Sequence, residues 1–214
     1  MLTDIMTPNP YRLYLVTDEN QDIDTLLQVV KQAVEGGVTM VQLREKHHNV
    51  RAFISKAKAV KQVLAGTGVP LIINDRVDVA LAVEAEGVHL GQTDMPVALA
   101  RKLIGDDRIL GLSIESEAQL EEAKSLPIDY IGLSAIFATP TKTNTKTHWG
   151  LNGLTEALKK TALPVVAIGG INEANLRDVA STGVHGVAIV SAISHAASPK
   201  DAASKLLNLM EAGS

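Results

Sequence analysis

Short aliphatic and β-branched runs alternate with longer helix-patterned segments along the whole of this chain, and no other feature constrains its fold as tightly. The runs are Leu13–Thr17, Met40–Arg44, Leu71–Asn74, Gly87–Leu90, Ile109–Ser113, Tyr130–Ile136, Val165–Gly169 and Gly186–Ser191. Helical patterns fall between them at Asp24–Glu35, Val50–Leu64, Val77–Glu84, Pro96–Ile104, Ser116–Ser125, Gly153–Lys160 and Asn172–Thr182. The strand runs are apolar on both faces rather than alternating, as in a parallel sheet covered by helices. Eight βα units within 214 residues match a closed (β/α)₈ TIM barrel forming one domain. A doubly wound open sheet fits less well, because eight units follow one another without a domain break.

Punctuation residues agree with this division. Asp24 and Ser116 suit helix N-caps, and Pro96 suits a first helical turn. Gly36-Gly37, Gly105 and Gly183 stand where a left-handed residue would end a helix. Residues 1–10 read as an N-terminal arm. The Pro/Thr/Lys-rich stretch 138–148 has no periodicity and reads as a mobile active-site loop after the sixth strand.

Several function classes are excluded by composition. The chain has no cysteine, so disulfides, thiolate nucleophiles and sulfur-ligated zinc are ruled out. A net charge of -4 argues against nucleic acid or an anionic membrane held by a bulk field. No apolar stretch approaches the roughly 20 residues needed to span a bilayer, and the acidic N-terminus is not a secretory signal, so a cytoplasmic location is expected. A homodimer formed through the outer helices stays open, since no residue stripe points to one.

Charge at the strand ends is more informative. Gln42, Arg44 and Lys46 share one parity, so on an extended strand they face the same way. A buried cation needs a partner, and a diphosphate suits a guanidinium fork. Glu45 lies in the same run with opposite parity and so would face outward. Asn74 and Asp75 end the third run, and Asp94 follows the fourth. Singly, Asp75 suits a turn pairing with Arg76, and Asp94 an N-cap ahead of Pro96. Together, on neighbouring strands, they suit one Mg²⁺ completed by water and phosphate oxygens. Asp78 reads as a first-turn acid outside the site.

Ser113 ends the fifth run at the same level and reads as a hydrogen-bond donor, because no triad-like base can be placed beside it. His89 reads as a hydrogen-bonded core residue. Gly170, after the seventh run, would let the backbone approach a phosphoryl group, with N–H donors from Val190 and Ser191 opposite. Thr139, Pro140, Thr141 and Lys142 in the long loop offer hydroxyls and an ammonium suited to closing over phosphates.

Taken in order, Tyr14–Asp18, Val41–Lys46, Ile73–Arg76, Gly87–Gln92, Thr139–Lys142, Ala167–Ile171 and Val190-Ser191 resemble the thiamine-phosphate synthases. The resemblance implies an enzyme that transfers a pyrimidinylmethyl group. It would join 4-amino-2-methyl-5-(diphosphooxymethyl)pyrimidine to a thiazole phosphate, or its carboxylated form, and release pyrophosphate with Mg²⁺. By the same resemblance, Gln42, Arg44, Glu45, Lys46, Asn74, Ser113 and Lys142 would bind the pyrimidine diphosphate. Arg44, Lys46, Lys142 and Ser113 would carry the catalytic work. Asp75 and Asp94 would hold Mg²⁺, and Thr139, Pro140, Thr141, Gly170, Val190 and Ser191 the thiazole phosphate. The family reaction is a dissociative substitution through a pyrimidine methylene cation. One departure is Ser134-Ala135, where many relatives have glycine-proline; a local backbone difference is expected there. Thiazole tautomerase relatives share the barrel but lack the full diphosphate-binding set, which this chain keeps.

Two rivals are weaker. A phosphosugar isomerase would want an acid–base pair over its substrate, and none stands out. A silent phosphate-binding scaffold would have no need to confine two carboxylates.

Overall fold

The computed structural model describes residues 9–46, 49–138 and 148–213. In chain order the elements are β1 (Leu13–Val16), α1 (Ile23–Glu35), β2 (Met40–Leu43), α2 (Val50–Leu64), β3 (Leu71–Asn74), α3 (Val77–Ala82), β4 (Gly87–Leu90) and α4 (Val97–Ile104). They continue with β5 (Ile109–Ile114), α5 (Glu117–Ala123), β6 (Tyr130–Ser134), α6 (Gly150–Lys160), β7 (Val165–Ile168), α7 (Leu176–Ala180), β8 (Gly186–Ile189), α8 (Ser191–Ser194) and α9 (Pro199–Gly213). Each strand pairs in parallel with the next, and β8 closes on β1 through Tyr14 opposite Ala188. The barrel expected from the alternation is therefore present.

Two cores hold it together. Between strands and helices lies a continuous aliphatic layer, to which α1 contributes Leu26, Val29, Val30 and Ala33, and α2 contributes Phe53, Ala57, Val60 and Leu64. Those three- and four-residue spacings are the stripe an amphipathic helix buries. Inside the barrel sits a second, smaller cluster of Tyr14, Val16, Met40, Ile72, Tyr130, Val166 and Ala188. The chain has three tyrosines, and all of them meet there: the Tyr11 and Tyr130 rings lie 5.0 Å apart, and Tyr14 and Tyr130 6.1 Å. Gly111 makes room for them, since a Cβ on it would come within 2.2 Å of the Tyr130 ring.

Four local expectations differ. The N-cap of α1 is Asp22, which accepts from the Thr25 N–H at 3.0 Å and the Thr25 hydroxyl at 2.7 Å; Asp24 is a first-turn acid. Such a cap contributes about 1 kcal/mol. The sixth strand ends at Ser134, although the Ile136 and Phe137 N–H groups still reach the Ile168 and Gly169 carbonyls, each at 3.0 Å. The eighth run splits, with Ser191 opening α8. Finally, α9 has no counterpart among the expected helices, though Ala203, Leu206 and Met210 give it a buried stripe.

The end of the barrel where strands begin is tied by Arg101. Its guanidinium donates to the carbonyls of Pro127 (3.0 Å), Gly105 (2.9 Å) and Arg108 (2.7 Å), and to Asp129 Oδ2 at 2.7 Å. That carboxylate oxygen also accepts the Leu110 N–H at 2.7 Å. No helix among the described residues is long and apolar enough to cross a membrane.

Candidate active site

At the opposite end, where the strands finish, a cavity of about 660 Å³ opens along the barrel axis. That is the size of a small-molecule site, and it occupies the face on which TIM-barrel enzymes place theirs. Its walls come from the ends of every strand.

One rim is cationic. Arg44 and Lys46 follow β2 and reach the cavity beside Gln42, as their parity requires. Arg44 Nη1 donates to Glu19 Oε1 at 2.7 Å, and Glu19 Oε2 accepts the Lys46 backbone N–H at 2.7 Å. Thr17 Oγ1 accepts the Arg44 N–H at 3.1 Å, so the β1–α1 connection holds this segment through side chains. The Lys46 ammonium forms a close ion pair with Asp75 Oδ2.

Asp75 and Asp94 meet next to that lysine. Asp75 has a left-handed backbone, φ 62°, and its N–H is fixed to the His89 carbonyl at 2.8 Å. Burial, and then the Asp94 carboxyl hydrogen-bonded to it, push the Asp75 carboxyl above its ordinary value; Lys46 pulls the other way and loses. Asp94 Oδ2 also accepts the Gly91 N–H at 2.7 Å. Neither acid takes the simpler role open to it. Arg76 pairs with Asp78 at 2.6 Å, and Asp94 makes no side-chain cap on α4. Two adjoining carboxylates, one of them paired with an ammonium, form an oxygen donor set suited to a hard divalent cation, which commonly takes one or two carboxylates and completes its shell with water and phosphate. Among the described residues no third His, Cys, Asp or Glu joins them.

The floor is polar. Gln42 Nε2 donates to the Tyr14 hydroxyl at 2.7 Å, and the Tyr14 and Tyr130 hydroxyls lie 2.9 Å apart. Tyr130 contacts His89 Nδ1 at 2.8 Å, and His89 Nε2 contacts Ser113 Oγ at 2.9 Å. Asn74 Nδ2 and Ser134 Oγ are buried, line the cavity, and have no hydrogen-bond partner among the described residues. A buried polar atom left unpaired costs about 1–3 kcal/mol, so both suit a ligand that supplies the partner.

The far rim is built by backbone. Gly169 and Gly170 take φ 102° and 67°. A Cβ on Gly170 would sit 2.6 Å from the Ala138 carbonyl oxygen, so glycine is required for both conformation and space. The Gly170 carbonyl is held by Asn175 Nδ2 at 2.9 Å. Val190 and Ser191 stand opposite, where α8 begins.

Gln42, Arg44, Lys46, Asn74, Asp75, Asp94, Ser113, Gly170, Val190 and Ser191 are thus gathered around one cavity. The Glu45 side chain is the exception, lying outside the cavity lining. Its carboxylate binds Lys56 of α2 at 2.5 Å, away from the mouth, because strand alternation turns it outward. Thr139, Pro140, Thr141 and Lys142 lie outside the described residues, as do most of the 1–10 arm and the 138–148 loop. The sequence reading missed Tyr14, Tyr130, Ser134 and Glu19, and placed His89 in the core without its link to Ser113. Inward parity of Tyr14 with Val16, and of Tyr130 with Ser134, was the available signal. Nothing local to Glu19 announces its partner. At the Ser134-Ala135 departure the peptide bond is cis.

Fold and site together define a TIM-barrel enzyme whose working face lies at the C-terminal ends of its strands. The sequence profile of the thiamine monophosphate synthase family matches residues 13–193. Thiamine-phosphate synthases from Vibrio parahaemolyticus and Vibrio campbellii are each 70% identical to the chain, over 95% and 94% of it and 100% and 99% of the relatives. The thiamine phosphate pyrophosphorylase of Pyrococcus furiosus superposes with a TM-score of 0.85 at 36% identity, covering 95% of this chain and 96% of that one. The chain belongs to the thiamine-phosphate synthase family, and the enzyme is a transferase.

Proposed function

We propose that this enzyme couples 4-amino-2-methyl-5-(diphosphooxymethyl)pyrimidine with 4-methyl-5-(2-phosphooxyethyl)thiazole, or its carboxylated form, to give thiamine phosphate and pyrophosphate. The observation that carries the reading is the pairing of two unlike rims on one cavity. Arg44 and Lys46 beside Asp75 and Asp94 suit a metal-bound diphosphate, and the backbone of Gly170, Val190 and Ser191 suits a second phosphate.

The chemistry asked of the protein is modest. In a dissociative substitution the C–O bond to the diphosphate breaks first, leaving a methylene cation stabilised by the aminopyrimidine; the thiazole nitrogen then attacks that carbon. Arg44 and Lys46 take up charge growing on the leaving oxygens, with Lys142 assigned the same role by resemblance. Asn74 and Ser113 orient the diphosphate, and Gly170, Val190 and Ser191 hold the thiazole phosphate so that its nitrogen faces the carbon. Asp75 and Asp94 would hold Mg²⁺, which when bound supplies further neutralisation of the leaving group. No general base is needed. A location in the cytoplasm fits a biosynthetic enzyme of this kind.

The test is a direct one. Purified protein, Mg²⁺ and the two substrates should yield thiamine phosphate and pyrophosphate in equal amounts, and EDTA should stop both. Tautomerisation of the thiazole phosphate without coupling would instead make the chain a tautomerase. Absence of both activities would leave a binding protein.

A further inference from the structure

We propose that Gln42, Tyr14, Tyr130 and His89 form a one-way hydrogen-bond chain across the barrel interior that fixes Ser113 as a proton donor into the cavity. The inference deepens the synthase reading and rests on it for the identity of the group that Ser113 meets.

The direction follows from counting protons. Gln42 turns its amide nitrogen to Tyr14, 2.7 Å away, so the phenol oxygen is an acceptor there. Among the described residues that hydroxyl meets only Gln42 and Tyr130, so its single proton goes to the Tyr130 oxygen at 2.9 Å; donation the other way would leave it buried without an acceptor. Tyr130, accepting from Tyr14, gives its own proton to His89 Nδ1 at 2.8 Å. A neutral imidazole that accepts at Nδ1 carries its proton on Nε2, and that N–H donates to Ser113 Oγ at 2.9 Å. With Nε2 a donor, the Ser113 hydroxyl proton cannot go to the histidine, and the cavity is left to receive it. Burial raises both Tyr14 and Tyr130 well above the ordinary phenol range, so each keeps its one proton and the count holds at working pH.

This changes what Ser113 and His89 are. At 2.9 Å they have the spacing of a nucleophile and its base. The chain assigns them the reverse polarity, so His89 cannot withdraw the serine proton. A serine held as a donor recognises an anionic oxygen, and its hydrogen bond strengthens as charge grows on departing diphosphate. Tyr14 and Tyr130 are positioning residues acting through His89. Were Gln42 to present its carbonyl oxygen instead, every link would reverse: Ser113 would donate to His89 and offer the cavity only an acceptor.

The deciding measurement is the tautomer of His89, read by ¹⁵N NMR on full-length protein labelled at histidine, with the signal assigned by its loss in His89→Gln. The proton is expected on Nε2 in the native protein, with both tautomers populated in Tyr130→Phe and in Tyr14→Phe. In the coupling assay, Tyr130→Phe should lower kcat about tenfold with KM little changed, a loss of about 1.4 kcal/mol. The same substitution in a Ser113→Ala background should cost less than about threefold, because its effect passes through that hydroxyl. A native proton on Nδ1, or a Tyr130→Phe loss that is the same with and without Ser113, would overturn the proposal. The tautomer is measured without substrate, so a failure of coupling would sink the synthase reading while still deciding the chain. Should Tyr130→Phe not fold, Tyr14→Phe carries the same readout.

Discussion

Arg44 gives its guanidinium to Glu19, with Nη1 2.7 Å from Oε1, and the second oxygen of the same carboxylate holds the Lys46 backbone N–H at 2.7 Å. The cationic rim is thereby keyed to the β1–α1 connection before any diphosphate arrives. A carboxylate in this position orients the fork and also competes with an anionic ligand for it. Glu19→Gln removes the competing charge and keeps one of the two acceptor contacts, because its amide nitrogen can only donate. Pyrophosphate affinity, followed by calorimetry, should rise about threefold to tenfold, with turnover slowed by product release. Arg44→Ala should lower kcat/KM by about 100-fold, the size expected when a charge-assisted contact to the leaving group is lost. Unchanged pyrophosphate binding in Glu19→Gln would show that the carboxylate only braces the segment.

Asp75 predicts opposite effects on stability and on activity. Its folded-state value lies above the unfolded one, because burial and Asp94 outweigh Lys46. Below the unfolded value both states hold the proton and the group contributes nothing. As pH rises through the folded value the carboxylate ionises at a cost, so the fold is destabilised on the alkaline side. Asp75→Asn removes that cost. Without ligand it should melt about 2 °C higher than the parent at pH 7.5, with the difference gone near pH 3. Turnover should collapse at any Mg²⁺ concentration, and Mg²⁺ should no longer raise the melting temperature. Near-normal turnover at saturating Mg²⁺ would remove the metal assignment.

Gly170→Ala tests the far rim. The added Cβ would lie 2.6 Å from the Ala138 oxygen and 2.8 Å from Phe137 Cβ, on a backbone at φ 67°. Strain of this kind costs about 1–3 kcal/mol. The expected outcome is a lower melting temperature and a KM raised about tenfold or more for the thiazole phosphate, with the KM for the pyrimidine diphosphate nearly unchanged. An equal rise in both constants would argue against separate phosphate rims.

Arg101→Ala tests the separation of the two barrel ends. The guanidinium, with its side chain 12% exposed, ties three carbonyls and the half-exposed Asp129 together, so its loss removes four hydrogen bonds, two of them part-buried. Stability should fall by about 2–3 kcal/mol in urea, with kcat and KM at 25 °C close to the parent values. A matching loss of activity in the folded variant would mean the two ends are coupled.

Much of this architecture is legible in the chain. Strand runs apolar on both faces, separated by capped helical segments, admit few solutions other than the barrel. Parity alone puts Gln42, Arg44 and Lys46 together and turns Glu45 outward, and order along the barrel brings the loops carrying Asp75 and Asp94 side by side. The last helix was also written in the spacing of Ala203, Leu206 and Met210, and it is read only once the barrel shows a face for it to cover.

What tertiary structure alone decided is which inward residues share a layer. Parity says that Tyr14 and Tyr130 point into the barrel, but their contact spans 116 positions and depends on the stagger of closed strands, which no local pattern encodes. The left-handed backbone at Asp75 and the reach of Glu19 to Arg44 are of the same kind. Each is a low-probability local state or a long-range pair, held because the closed barrel fixes both ends. The sequence by itself determined the barrel and the faces of its strands; closure determined the neighbours, and with them the polarity of the site.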